Sequence, residues 1–368
     1  MDKKKKIAII GLKGLPPFGG AANVGDTIIE QLADQFDFTI YATASHTSHK
    51  GNYKGANQIV FRRFPIKKLN VFYYYIASAV HALFTRNRYD LVHLHHMDGA
   101  FTLLLLRLRY KVIATGHGTP YKNGKWSKML YPYFKFNEWL QARLSNHLTI
   151  VAKFLIPQYQ HLLPATKMTY IPNAIIPLAP AQVQLGYDDY ILYAAGRIIP
   201  TKGLHILLSA LHHSQYKGKL IVLGDYNQHK EYSKQLFDLA AGYDVEFKGM
   251  IRDKALLNTY VAGAKLFIFP STLEAMSMML LEVASLRTPV ICSDIVQNTD
   301  VFDPDEMLFF RSEDDKDLAA KLDWALDHPE EMKKFAERAW QSLMTKYQAP
   351  VIAGQYAALF DRFMTKAG

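Results

Sequence analysis

One cysteine, Cys292, in 368 residues excludes an intramolecular disulfide framework and any metal centre built from several thiolates. Long apolar runs are also missing. No stretch approaches the roughly 18 uninterrupted apolar residues of a membrane-spanning helix. The opening Lys3–Gly11 pairs basic residues with a short apolar run, but Lys13, Pro16 and Pro17 interrupt it early, so no signal peptide is expected. Short-period repeats and low-complexity tracts are absent. Acidic residues are scarce in one half only. Residues 1–186 hold 23 Lys+Arg against 8 Asp+Glu, whereas residues 187–368 hold 20 against 25. A charge break of this kind suggests two units with different partners, and the basic one could meet nucleic acid, an anionic membrane or a phosphorylated substrate.

What is present fits two domains. About half the residues are hydrophobic, enough to fill two cores, and the length exceeds what one ordinary core serves. Strands are expected at Ile7–Ile10, Phe38–Tyr41, Gln58–Phe61, Leu91–Leu94, Lys111–Thr115, Leu148–Val151 and Met168–Ile171. A glycine-rich loop, Gly11 to Gly20, follows the first, and a helix runs from about Asp26 to Ala33. The second half repeats the scheme with strands at Tyr190–Ala194, Lys219–Leu223, Val245–Phe247, Leu266–Phe269 and Pro289–Cys292. Helices at Leu204–His213, Tyr232–Ala240, Lys254–Ala262 and Met278–Leu286 separate them. Alternating strands and helices imply parallel sheets covered on both faces, an α/β fold. The charge-free, Pro- and Ala-rich stretch from Pro172 to Gly186 reads as the linker, giving domains 1–172 and 189–368 around a linker 173–188. The last helix could pack back on the first domain.

Three segments of the second half carry chemistry. Gly196-Arg197-Ile198-Ile199-Pro200-Thr201-Lys202-Gly203 lies between a strand and a helix. Two cations beside a helix N-terminus suit a diphosphate, since formal charge adds to free backbone N–H groups; a solvated surface loop is the plain alternative. In Pro270–Glu282, Glu274 falls in a turn where it could accept hydrogen bonds from sugar hydroxyls. Glu282 lies about two helical turns on, in reach of a ribose. Eight residues of helix span roughly 12 Å, beyond the approximately 5–9.5 Å of a hydrolase carboxyl pair. Phe247-Lys248-Gly249-Met250-Ile251 ends a strand whose backbone could meet a base edge.

Together these segments resemble the GT-B glycosyltransferases, specifically the retaining family 4, over nearly the whole chain. Gly11-Leu12-Lys13-Gly14-Leu15-Pro16-Pro17-Phe18-Gly19-Gly20 looks like the opening of a polysaccharide-biosynthesis subgroup that includes bacterial rhamnosyltransferases. Ala114–Thr119, with Lys125-Trp126 downstream, and Ile171-Pro172-Asn173-Ala174 resemble further landmarks. The resemblance implies two Rossmann-like domains with parallel sheets facing a central cleft. It implies that Arg197 and Lys202 bind the donor diphosphate, aided by backbone N–H groups at Gly19 and Gly20. Glu282 would hold the ribose and Glu274 the transferred sugar, with Ala275, Met276, Ser277 and Met278 lining the same place. His117 would lie near the anomeric centre, and Met250 and Ile251 would flank the base. No cofactor and no metal are implied; the donor is a nucleotide-diphosphate sugar and the acceptor a saccharide, free or lipid-linked. The sequence departs from the family where Ala275 and Ser277 replace the usual glycines. That departure motivates a rival reading, a catalytically weak glycan- or partner-binding subunit; a sugar-nucleotide epimerase is another.

His93, His95 and His96 with Asp98 imitate a metal site, but strand alternation would send His95 and His96 to opposite faces. Asp303-Pro304-Asp305 reads as a turn. Arg62, Arg63, Lys67 and Lys68 precede Phe72-Tyr73-Tyr74-Tyr75, and Lys122, Lys125, Trp126, Lys128, Tyr131, Tyr133, Phe134, Lys135 and Phe136 form a second basic-aromatic stretch. Such mixtures suit an anionic membrane surface, or a buried aromatic layer under a solvated basic rim. No nucleic-acid motif accompanies them. The expected setting is cytoplasmic, peripheral on the inner face of the cell membrane.

Overall fold

The computed structural model describes residues 3–17, 20–66, 69–119, 121, 128–180 and 183–365. The chain divides into two compact units, one holding the residues up to Ala174 together with those from Ala349 onward, the other Ile175–Gln348.

In the first unit the elements are β1 (Lys5–Lys13), α1 (Gly20–Leu32), β2 (Phe36–Thr43), β3 (Gly51–Tyr53), β4 (Ala56–Phe61), α2 (Asn70–Phe84), β5 (Leu91–His95), α3 (Leu103–Leu106), β6 (Val112–Gly116), α4 (Tyr131–Leu144), β7 (His147–Ile150), α5 (Ile156–Gln160) and β8 (Met168–Tyr170). The sheet runs β3-β4-β2-β1-β5-β6-β7-β8, parallel throughout except for the short edge strand β3. Both faces are covered, which explains why β1 reads as an unbroken apolar run. Ile7 and Ile9 enter one core with α1; Ala8 and Ile10 enter another with the buried side of α2.

The second unit contains β9 (Tyr190–Arg197), α6 (Leu204–Leu211), β10 (Lys219–Asp225), α7 (Lys230–Ala240), β11 (Val245–Gly249), α8 (Lys254–Ala262), β12 (Leu266–Phe269), α9 (Met278–Ser285), β13 (Val290–Ser293), α10 (Val296–Thr299), β14 (Leu308–Phe310), α11 (Asp315–Asp327) and α12 (Pro329–Lys346). Its sheet is wholly parallel, in the order β11-β10-β9-β12-β13-β14. Alternate residues again split between two cores, Leu192 and Phe267 in one, Ile191 and Ile268 in the other. The last helix, α13 (Ala349–Met364), belongs to the first unit, where Ile352, Tyr356 and Phe360 pack beside Ile7, Ile9 and Phe38.

The structure revises several expectations. β1 continues to Lys13 instead of ending at Ile10, with a register shift against β2 after Ile9 and φ of 113° at Gly11 and 68° at Lys13. The expected linker 173–188 contributes to both cores: Ala174 is buried in the first unit's core and Ile175 in the second's, where Leu178 and Leu185 also pack. Tyr74 and Tyr75 of the supposed surface aromatics are fully buried. Lys67, Lys68, Lys122, Lys125 and Trp126 lie outside the described residues, and nothing is described of the Lys128 side chain.

Candidate functional site

In each sheet the chain starts in the middle, builds outward to one side, then returns to build the other. The reversal puts β1 beside β5 and β9 beside β12. Loops leaving the carboxyl ends of such neighbouring strands diverge and open a crevice, the usual ligand position in open parallel sheets. In the second unit those loops are the Arg197–Gly203 and Pro270–Ser277 segments.

They are fastened to one another. The Thr272 N–H donates to the Thr201 carbonyl at 2.9 Å. Gly203 has φ of 71°, and a Cβ there would come within 1.8 Å of the Pro270 carbonyl oxygen, so glycine lets the loops touch. The Lys202 ammonium lies 2.6 Å from the Glu274 carboxylate. Tyr193 holds the Lys202 carbonyl through its hydroxyl at 3.2 Å. Arg197 ends β9, is exposed, and has no ion pair among the described residues. The guanidinium is therefore available to an anion, beside Gly196, above which a Cβ would meet nothing within 4 Å.

Ser277 is the N-cap of α9, its hydroxyl accepting from the Leu280 N–H at 3.4 Å. Met276 is buried in the core beneath, while Ala275 and Met278 are half-buried. Glu282 is buried in α9 and pairs with Lys254, Nζ to Oε1 2.5 Å, not with the Lys202–Glu274 pair. A buried carboxylate requires such a partner. Lys254 opens α8 with Asp253 as N-cap, and nothing in the local sequence distinguishes it from a solvated first-turn lysine. Gly249 turns the chain at φ of 75° out of β11, leaving Met250 exposed and Ile251 partly buried against the core.

The first unit presents a second cluster at the ends of β1, β5 and β6. Lys13 pairs with Asp98 at 3.2 Å. Burial would raise the Asp98 carboxyl, yet Lys13 and then His96 pull it below the usual range. The alternation expected at His95 and His96 stops because β5 ends at His95 and His96 takes φ of 68°. Both rings consequently approach His117, with centroids 5.2 and 4.9 Å away. His95 Nδ1 lies 2.9 Å from His117 Nε2, so one of the two carries the shared proton. His95 Nε2 is buried without a partner. An orphaned buried N–H is rarer and costlier than an idle acceptor, so the His95 proton sits on Nδ1 and donates. That leaves His117 with its proton on Nδ1, as a donor. Burial pushes the His93 imidazole down to about 3, and burial plus neighbouring histidines holds His95 and His117 well below their usual range. All three are neutral. Among the described residues no group of His, Cys, Asp and Glu has the arrangement of a metal site. Asp303 and Pro304 sit in a turn closed by the Asp303 N–H to Glu306 bond, 2.8 Å. Gly20 is the first residue of α1; Gly19 lies outside the described residues.

Residues 177–342 match the family model described as Glycosyl transferases group 1, and residues 18–177 match Glycosyltransferase Family 4. Each half of the chain thus matches a glycosyltransferase family model. The chain is 26% identical over 182 residues to TuaC of Bacillus subtilis (strain 168), a protein named as a teichuronic acid biosynthesis glycosyltransferase. That stretch spans 49% of this chain and only 43% of the relative's length. Solved structures agree on the fold. A sucrose-phosphate synthase from Thermosynechococcus elongatus superimposes with a TM-score of 0.82 at 19% identity, covering 98% of this chain and 99% of its own. Anabaena HepE, solved with UDP and glucose, gives 0.79 at 18% identity, covering 97% and 100%.

Proposed function

We propose that this glycosyltransferase moves a hexosyl or deoxyhexosyl group from a nucleotide-diphosphate sugar to a saccharide acceptor, with retention and without a bound metal. The observation that carries the reading is the exposed Arg197, without an ion pair among the described residues, in the same loop as Lys202 of the Lys202–Glu274 pair, at the strand reversal of the second sheet. Support comes from HepE, which was solved with UDP and with UDP-glucose. In the proposed reaction the bond from the anomeric carbon to the diphosphate oxygen breaks and a bond to the acceptor oxygen forms on the same face. The acceptor proton passes to the leaving diphosphate. Arg197 and Lys202 stabilise the charge that develops there, the preorganised electrostatics that usually dominate such catalysis. Glu274 then exchanges its Lys202 contact for sugar hydroxyls, Glu282 holds the ribose, Met250 and Ile251 flank the base, and His117 donates near the anomeric centre.

The acceptor in this reading is a lipid-linked saccharide for a surface polysaccharide, met on the inner face of the cell membrane. The name of TuaC and the basic first half support it. Among the described residues no helix is long and apolar enough to cross a membrane. Screening nucleotides for thermal stabilisation tests the donor site, since a ligand at about 100 times its dissociation constant adds roughly 2.7 kcal/mol. In excess EDTA, Arg197→Ala and Lys202→Ala should each lower turnover by about 100–1000-fold while wild type keeps full activity. Near-normal turnover in both variants, or wild-type activity that chelator abolishes and magnesium restores, would overturn the assignment.

A further inference from the structure

Helix α2 is apolar on two sides. One side, with Tyr74, Tyr75, Ala79 and Ala82, fills the core under β1 and β5. The other carries Phe72, Ile76, Val80 and Phe84, spaced four residues apart in a single stripe, and all four are exposed. Phe84 is 81% exposed. The stripe continues onto α3 and the turn after it, where Leu104 and Leu108 are exposed, Leu108 by 77%. The two stripes lie side by side. Phe72 stacks on Phe101, just before α3, with centroids 4.6 Å apart. At the other end the Tyr110 hydroxyl donates to the Ala82 carbonyl at 2.6 Å. Such a run of large apolar side chains is uncommon on a free surface and marks an interaction face.

Its charge decides what it meets. Residues 38–89 hold eight Lys+Arg and no Asp or Glu, and residues 99–137 hold seven and none. Arg86 and Arg88 follow the α2 stripe, while Arg107 and Arg109 flank Leu108, and all four are exposed. A second copy of this chain would bring the same positive charge against itself. A nucleic acid would meet the cations but gain little from Ile76, Val80, Leu104 and Leu108, which offer no ring for a base to stack on. An anionic bilayer satisfies both features, with acyl chains for the stripe and headgroups for its rim.

We propose that the exposed face of α2, α3 and the turn after α3 inserts shallowly into an anionic lipid bilayer, with Phe72, Ile76, Val80, Phe84, Leu104 and Leu108 below the headgroups and the arginines among them. This deepens the membrane reading above and rests on it only for its biological use, since vesicle binding requires no donor and no acceptor. The experiment is flotation of the full chain with vesicles of phosphatidylglycerol and phosphatidylcholine in equal parts, against phosphatidylcholine alone. Wild type should float with the first and stay behind with the second. A combined Ile76→Ser, Phe84→Ser and Leu108→Ser variant should lose about tenfold in partition for each side chain. Arg86→Glu with Arg88→Glu should weaken binding as added salt does. A nitroxide on Phe84→Cys should report acyl-chain depth, since Cys292, the chain's one native cysteine, is buried. UDP titration of every variant serves as the control for folding and for the donor site. Equal flotation of wild type and the triple variant would overturn the proposal. So would a wild type that self-associates through this face and ignores anionic vesicles. Loss of UDP binding in wild type with flotation intact would instead sink the donor reading and leave this surface standing.

Discussion

At the scale of single residues, burial without formal charge marks His93, His95 and His117 in the first unit's cluster. If His95 fixes the His117 tautomer through its Nδ1–H, then His95→Asn, whose amide nitrogen reaches a similar position, should keep most activity and His95→Leu should not. Nitrogen NMR of labelled histidine should find the His117 proton on Nδ1 in wild type and in the Asn variant. A proton on Nε2 would contradict the assignment whatever the activity. The same residues set a pH dependence. Their folded pKa values lie below the unfolded value of about 6.5, so the unfolded chain binds more protons under acid. Their contribution to stability is therefore complete above about pH 6.5 and is lost as pH falls towards the folded value, about 3 for His93. Each such histidine should add a slope of about 1.4 kcal/mol per pH unit in that window. Urea unfolding of wild type and His93→Phe at pH 7 and pH 5 checks it: the variant's loss between the two should be smaller.

At the scale of elements, the start of α9 explains a departure in the sequence. Family resemblance puts glycine where Ser277 stands, yet the hydroxyl caps α9 at the Leu280 N–H. Ser277→Ala should cost about 1 kcal/mol in thermal or urea unfolding, whereas Ser277→Gly should cost only a few tenths. If the Gly variant also keeps its nucleotide affinity, the serine is a helix cap and carries no information on donor choice. Equal losses for Ala and Gly would argue that the hydroxyl has another task. Much at this scale was legible beforehand: Leu266–Phe269 and Lys254–Ala262 have the expected bounds, the first as a short continuous apolar run and the second because apolar residues recur at the period of a helix. The short strands β14 and β3 were not foreseen.

At the scale of the molecule, the chain's end belongs to its beginning. Removing residues 349–368 would strip Ile352, Tyr356, Leu359 and Phe360 from the core that α1 and β1 share. Each buried side chain of this kind contributes about 1.5–3 kcal/mol, so four, at about 6–12 kcal/mol, are comparable with the whole stability of a typical domain, about 5–15 kcal/mol. The truncated chain should lose the unfolding transition of its first domain while the second keeps its own, seen by calorimetry or by hydrogen exchange. Two intact transitions would show that α13 is dispensable. The sequence alone determined the parallel α/β class, the two-domain plan and the residue types of the candidate donor site, because those depend on apolar period, charge and short-range spacing. Tertiary structure alone decided the pairings. Lys202 meets Glu274 and Lys254 meets Glu282 across 72 and 28 residues, His95 meets His117, and Tyr75 is buried where Phe72 is exposed. The physical reason is that sheet order sets which loops become neighbours, and helix docking sets which side of α2 meets water, and neither is written in the local pattern.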